Sequence, residues 1–239
     1  MERQISDITV EIIKKKIKNL HLSVLPPDGK VRVSAPAHLS DESIEMFVRT
    51  KLSWIKKQQE KFSKQPRQSA RQYVSGESLY VWGKQYFLVV QYSYKGNALV
   101  LSGEKAILTV RKESTVKQRE SFVNEWYRQL LKKEIQRLLP KWENTTKLYA
   151  SSWQTKYMTT RWGTCNTSTK KIWFNLQLAK KPIECLEYII LHELTHLKVK
   201  NHGKDFVEHI EKYMPYWRDL RNLLNDSKLD YMNTNIEED

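Results

Sequence analysis

The sequence predicts an α+β protein with two parts. Short runs of β-branched and aromatic residues, separated by turn residues, fill most of the first part and predict an N-terminal antiparallel β-rich domain that carries one basic helix. From about Thr115 the apolar residues recur with a helical period, which predicts a largely helical second part with a β-hairpin. We therefore place the domains at residues 1–114 and 115–239.

The N-terminal part is predicted to be strands around one helix. Three short strands come first, with a bend at Pro26–Pro27, and they are most simply arranged as an antiparallel sheet. Ser40 begins a helix that runs to about Phe62, and the polar segment around Pro66 is a loop. A meander of about four strands follows, up to Lys112. No internal repeat is visible.

The C-terminal part is predicted to begin with a long helix whose apolar stripe runs to Pro140, and residues 145–153 are a second stretch that either extends it or lies outside it. Residues 156–165 and 170–179 then form a β-hairpin with a polar turn between its strands. Pro182 suits the first turn of the next helix. Two further helices, separated at Pro215, complete the fold, and the polar tail from about Ser227 is expected to be mobile.

Composition limits the partners. The chain has 239 residues, a net charge of +14 and 2 cysteines without ligand spacing. It contains no long apolar run, so we expect a soluble, cytoplasmic protein with no membrane partner. Between Arg49 and Arg71 eight basic residues face only Glu60. This basic surface either attracts nucleic acid or a nucleotide, or is an ordinary solvated helix face, and the sequence leaves both interpretations open.

The most informative motif is HExxH, formed by His192, Glu193 and His196. On a helix, histidines four positions apart project from the same face and can bind one ion. Imidazole nitrogen suits zinc, and a catalytic zinc ion keeps three protein ligands and one open position for water. Glu193 lies beside that position, where a carboxylate can act as the general base.

His202 is predicted to be the third ligand, ten positions after His192. An unbroken helix would carry it about 15 Å along the axis, so the helix must end before it. Asn201 and Gly203 tolerate the left-handed conformation that ends many helices, and a reversal there would return His202 to the metal. Alternative third ligands lie on the following helix, namely Glu208, His209 and Glu211.

Four segments of the C-terminal part carry a family resemblance: RWGTC (161–165), IWFNLQL (172–178), KKPIECLEYIILHELTHL (180–197) and NHGKDF (201–206). They resemble the YgjP-like metal-dependent hydrolases, which are relatives of the SprT-like and WLM zinc metallopeptidases. The resemblance implies a zincin-like domain of the gluzincin type. It also implies a zinc hydrolase, most often a metallopeptidase, with ligands His192, His196 and His202 and the general base Glu193.

Other residues are weaker candidates for the site. The resemblance places Arg161 on the strand beside the motif, where it would bind substrate or stabilise an oxyanion, or would only form a salt bridge. Asn175 is either a polar contact to substrate or a structural residue. Glu208 or Asp205 is a candidate to orient a ligand imidazole through its second nitrogen. Cys165 is more consistent with a small buried residue than with a reactive thiol.

These observations predict a metallopeptidase with one zinc ion, in which Glu193 activates a zinc-bound water to attack the peptide carbonyl. The expected partner is a protein or peptide substrate. One alternative is hydrolysis of a nucleoside triphosphate to release pyrophosphate at the same metal site, which the basic surface favours and the absence of a P-loop opposes. Another is a DNA-associated accessory protein that trims or recruits proteins bound to nucleic acid.

Overall fold

The computed structural model describes residues 2–25, 29–64, 71–158 and 161–225, with the backbone alone for residues 61–64. The predicted bend at Pro26–Pro27, the loop around Pro66 and the tail from about Ser227 lie outside these residues. The chain forms two compact units, residues 1–69 and 70–239. The mixture of helices and sheets agrees with the predicted α+β class.

The first unit is built on a four-stranded sheet in the order β1-β2-β4-β3. Its strands are Glu2–Ile5 (β1), Ile8–Lys15 (β2), His21–Leu25 (β3) and Lys30–Pro36 (β4). The antiparallel arrangement predicted for it is wrong at one junction, because β2 and β4 are parallel. After β2 the chain forms the edge strand β3 and then returns as β4, which lies beside β2. The antiparallel pairs β1–β2 and β3–β4 are thus joined by the parallel pairing of β2 with β4.

Two helices follow this sheet in place of the single helix predicted. The first is Asp41–Thr50 (α1), and the Ser40 hydroxyl accepts a hydrogen bond from the Ser43 amide at 3.2 Å, as expected for an N-cap. The second is Leu52–Lys64 (α2). They are separated at Lys51, whose amide donates a hydrogen bond to the carbonyl oxygen of Val48 at 2.9 Å.

A second four-stranded sheet opens the second unit, in the order β5-β6-β8-β7. Its strands are Ser78–Val81 (β5), Lys84–Tyr92 (β6), Ala98–Ser102 (β7) and Lys105–Val110 (β8). Because β6 and β8 are parallel, this is not the predicted meander, and it has the same topology as the first sheet. Its buried residues, such as Leu88 and Leu108, share one core with the C-terminal helices. The chain therefore divides near residue 70, and the boundary predicted at 114/115 falls inside this unit.

The long helix Val116–Thr146 (α3) begins with a capping box between Thr115 and Gln118. It continues past Pro140, where the predicted apolar stripe ended, to Thr146, and so includes the first two residues of the second stretch. Both Pro140 and Gln136, whose carbonyl loses its usual helical partner, are exposed, so water can satisfy that carbonyl. The apolar face meanwhile continues past the proline with the buried Trp142.

The third sheet positions the motif helix. It has the order β10-β11-β9, with strands Ser152–Lys156 (β9), Gly163–Asn166 (β10) and Lys171–Asn175 (β11). The predicted hairpin is confirmed as the antiparallel pair of β10 and β11, and β9 adds to β11 in parallel. A 3₁₀ segment, Leu176–Lys180, leads into Ile183–Thr195 (α4), the helix of the HExxH motif. Two helices follow, Lys204–Tyr213 (α5) and Trp217–Asn225 (α6).

Helix α4 is enclosed by the rest of the unit. Every residue from Tyr188 to Thr195 is buried, including His192 and Glu193. Several of its neighbours lie in the common core, among them Phe174, Leu178 and Leu220. The polar motif residues thus lie in an apolar environment. None of the helices in the described ranges combines the length and the apolar character needed to cross a membrane.

Candidate metal centre

Three histidine side chains converge at the C-terminal end of α4. The Nε2 atom of His192 lies 3.2 Å from Nε2 of His196 and 3.1 Å from Nε2 of His202. All three ligand atoms lie within 4.8 Å of one another. Among the residues that the structure describes, this is the one group of three potential ligands so arranged. The predicted third position, His202, is therefore brought to the motif.

This arrangement fits a tetrahedral metal ion. Two nitrogen ligands bound to zinc at about 2.05 Å with tetrahedral angles are separated by roughly 3.3 Å. The Nε2–Nε2 separations of 3.1 and 3.2 Å are close to this value. Three imidazole lone pairs that converge at these distances can bind one cation, since each neutral ring offers one lone pair.

A backbone carbonyl orients one of the ligands. The Nδ1 atom of His196 lies 3.3 Å from the carbonyl oxygen of Val199. A carbonyl only accepts, so Nδ1 carries the hydrogen and the lone pair of Nε2 is directed to the metal position. The Val199 carbonyl thus orients the imidazole of His196, which is the role predicted for Glu208 or Asp205. Glu208 instead forms an ion pair with Lys204 at 3.6 Å.

The chain reverses towards His202 by a different route from the one predicted. Helix α4 ends already at Thr195, and the amides of Leu197 and Lys198 then bond three residues back, which tightens the last turn. The left-handed conformation expected at Asn201 or Gly203 is wrong, because neither has a positive φ and Gly203 has a φ of −72°. Gly203 serves instead as the N-cap of α5.

Burial keeps the ligands neutral. Loss of solvent is the main cause that lowers the pKa of His192, and the nearby His196, His202 and Arg221 lower it further. Burial also lowers the pKa of His196, again with help from His202. Because only a neutral imidazole has a free lone pair, these shifts leave the histidines in the form that binds a metal at neutral pH.

Glu193 is a buried carboxyl group that faces strand β10. Its side chain is 3% exposed, and burial raises its pKa to about 8, against a smaller lowering effect of Arg161. Its Oε2 atom has no hydrogen-bond partner among the described residues. A carboxyl group held in this way, next to three potential metal ligands, has the features of a general acid and base.

Gly163 was missed as a site residue. It lies on β10 against Glu193, and a Cβ added to it would lie 2.8 Å from the carboxyl carbon. Only glycine therefore allows β10 to approach the carboxyl group so closely. A glycine inside a predicted strand is a known mark of close backbone approach, and this signal was present in the sequence.

The two weaker candidates occupy different environments. Arg161 is exposed, and its positive charge acts on Glu193. Asn175 is 0% exposed, and its amide bonds to the backbone of Met158 and Arg161. Its geometry therefore favours the structural alternative over a direct contact with substrate.

The remaining candidates lie outside the histidine cluster. The cluster includes none of the alternative ligands Glu208, His209 and Glu211. Burial, with the nearby Glu193, raises the pKa of Cys165 to about 12, so this cysteine stays a thiol at neutral pH. It is partly buried, in agreement with the interpretation that it fills space.

An open cavity of about 420 Å³ adjoins the turn that carries His202. It is lined by the segment between α4 and α5, including three lysines, Lys198, Lys200 and Lys204, and one acidic residue, Asp205. The surface next to the metal ligands is therefore positively charged.

Comparisons with known proteins identify the family of the chain. A family model described as the YgjP-like metallopeptidase domain matches residues 18–227. Comparison with curated proteins gives no match. Among solved structures, the chain is similar to the metallopeptidase zymogen abylysin of Pyrococcus abyssi, with 17% identity and a TM-score of 0.37 over 39% of this chain and 94% of that one. It is also similar to the metallopeptidase zymogen jannalysin of Methanocaldococcus jannaschii, with 24% identity and a TM-score of 0.35 over 39% and 95%.

Proposed function

Because this chain belongs to the YgjP-like family and is thus a metal-dependent hydrolase, we propose that it is a zinc peptidase that cleaves polypeptides. The observation that carries the proposal is the convergence of three imidazole Nε2 atoms beside the buried carboxyl group of Glu193. A metallopeptidase domain implies a divalent metal. Zinc is the metal that three neutral histidines favour most among those used in hydrolysis, because it accepts nitrogen ligands in tetrahedral geometry.

Each residue of the site has a defined role in this proposal. His192, His196 and His202 would hold one zinc ion, which supplies Lewis-acid polarisation and a lowered pKa for water. Glu193 takes a proton from the attacking water and then gives it to the leaving amine. A carboxyl group whose pKa burial has raised to about 8 is suited to both steps.

Arg161 is assigned to the substrate. Its side chain is exposed, and its charge reaches Glu193. A cation in this position can bind the peptide carbonyl and stabilise the negative charge that develops on its oxygen.

The sheet beside the site supports a polypeptide substrate. Strand β10 lies at one edge of the three-stranded sheet and pairs only with β11 among the described strands. Its residue Gly163 contacts Glu193, so a strand added at this edge would pass the catalytic carboxyl group. Addition of an extended peptide to a free strand edge is a common mode of peptide binding.

A second candidate function is hydrolysis of a nucleoside triphosphate. The observation in its favour is the cavity lined by Lys198, Lys200 and Lys204 next to the ligand turn, since ammonium groups attract phosphate. The family match favours the peptidase.

The decisive experiment compares zinc-loaded wild type with Glu193→Gln, after equal zinc content has been verified in both. Each protein is incubated with an unfolded protein, with and without DNA, and separately with a nucleoside triphosphate. We expect cleavage of the protein by wild type and its loss in Glu193→Gln. Loss of triphosphate that depends on Glu193, without cleavage of protein, would replace the peptidase by the second candidate. Cleavage only in the presence of DNA would assign the basic surface to nucleic acid.

A further inference from the structure

Asn175 lies where β11 passes into the 3₁₀ segment, and all polar atoms of its side chain are used. Its Nδ2 donates to the carbonyl oxygens of Met158 at 2.9 Å and Arg161 at 2.6 Å. Its Oδ1 accepts from the amides of Met158 at 3.3 Å and Gln177 at 3.1 Å. The side chain is 0% exposed, so these bonds form away from solvent. Asn175 therefore joins β11 to a second segment of the chain.

The segment held in this way leads directly to the carboxyl group. Met158 and Arg161 flank residues 159–160, which the structure does not describe. The amide of Asn175 also donates to the carbonyl of Trp162 at 2.9 Å. The next residue is Gly163, which contacts Glu193. The side chain of Asn175 thus holds Met158 and Arg161, and its backbone amide holds Trp162, which precedes Gly163.

No other side chain of this length offers the same set of bonds. A planar amide has two donors on one atom and an acceptor on the other. Aspartate would place an oxygen against the carbonyls of Met158 and Arg161, and alanine would leave both carbonyls without a donor. Unsatisfied buried carbonyls are costly, so the segment would move to reach water.

We propose that Asn175 is a positioning residue for the reaction. Its amide fixes the backbone on both sides of residues 159–160 so that Arg161 faces the substrate. It acts through this segment and touches neither substrate nor metal. The proposal rests on the proposed function, because it assigns a role in that same site.

The test uses Asn175→Ala and Asn175→Asp, with Gln118→Ala as the matched control. Gln118 lies in the first turn of α3, and its Oε1 accepts from the amide of Thr115 at 2.9 Å, so the control removes an amide cap from the same unit without touching the hairpin. In zinc-loaded protein we expect kcat for peptide cleavage to fall about 100-fold in both Asn175 variants and to stay unchanged in the control. Zinc affinity should change less than about threefold, since the ligands lie on other elements.

A double-mutant cycle separates positioning from general stability. If Asn175 acts through Arg161, the variant with both residues replaced by alanine should be no less active than Arg161→Ala alone. Additive losses, full activity in Arg161→Ala, or Asn175 variants as active as the control would each overturn the inference. A loss of zinc from Asn175→Ala would also overturn it, because the defect would then lie in the ligands.

Amide hydrogen exchange gives a readout that needs no activity. In metal-free Asn175→Ala, the amide of Met158 should exchange faster, while that of Phe174 inside β11 should not change. Equal exchange at Met158 in wild type and variant would overturn the inference. If zinc-loaded wild type cleaves no polypeptide, the proposed function fails, and this exchange measurement still decides whether Asn175 holds the segment.

Discussion

Replacing Glu193 by glutamine should stabilise the metal-free protein at neutral pH. Burial raises the pKa of this carboxyl group from 4.5 to about 8. Between these two values the folded state keeps a proton that the unfolded state releases, so stability falls as pH rises from about 4.5 to about 8. Glutamine has nearly the same shape and does not ionise in this pH range, so the stability of the variant does not fall in this way.

The size of the effect follows from the two pKa values. One pKa unit corresponds to about 1.4 kcal/mol, so at pH 7 the ionised unfolded state costs the wild type about 3 kcal/mol relative to the variant. The difference should be about 1 kcal/mol at pH 5 and about 5 kcal/mol at pH 8.5. The lowered pKa values of His192 and His196 destabilise both proteins at low pH, so they cancel in this comparison.

The assay is urea denaturation of both proteins with a chelator present, at several pH values from 5 to 8.5. Glu184→Gln serves as the control, since Glu184 is an exposed carboxylate in the first turn of the same helix. Losing it should destabilise the fold by less than about 1 kcal/mol, through the helix dipole. If wild type and Glu193→Gln unfold at the same urea concentration at pH 7, the carboxyl group is not desolvated and the reasoning fails.

Four further predictions concern other parts of the chain. His202→Ala should weaken zinc binding by more than about 100-fold in a chelator competition, and an unchanged affinity would mean that another residue is the third ligand. Gly163→Ala should destabilise the protein by about 1–3 kcal/mol in urea denaturation, because its Cβ would press on the carboxyl carbon of Glu193, and wild-type stability would refute this contact. Cys165, with its pKa raised to about 12, should react with iodoacetamide at pH 8 about 1000-fold more slowly than a free thiol, and rapid alkylation of the folded protein would contradict the buried environment. Replacing the exposed Lys56 and Lys57 by glutamate should weaken DNA binding and lower the slope of its salt dependence by about 2, whereas unchanged titrations would remove nucleic acid as a partner of this surface.

The three histidines of the cluster could be predicted from sequence because their geometry is local. The four-residue spacing of His192 and His196 places both side chains on one face of the helix. His202 follows His192 by ten residues, so it can reach the same place only if the chain reverses direction. Gly163 was harder to find. Its contact with Glu193 depends on how β10 packs on α4, and the same glycine in another strand would mark a bulge.

The order of the strands was the least predictable feature. The alternating pattern of a strand shows which face is buried but not which neighbour it pairs with, so parallel pairing of β2 with β4 and of β6 with β8 left no local signal. The sequence also left the end of α3 open. Proline disfavours a helix interior locally, but the apolar face continues with Trp142, and Gln136 is exposed, so water can satisfy its carbonyl.

The shared topology of the two four-stranded sheets has a consequence for synthesis on the ribosome. All strands of each sheet come from a short stretch of sequence, residues 2–36 and 78–110, and strands that are close in sequence pair quickly. The ligands emerge later, and His202 still precedes α6, whose Leu220 and Leu224 complete the core of the second unit. A nascent chain therefore displays all three histidines before the fold that buries them can close, so a metal ion has access to them while the site is still open.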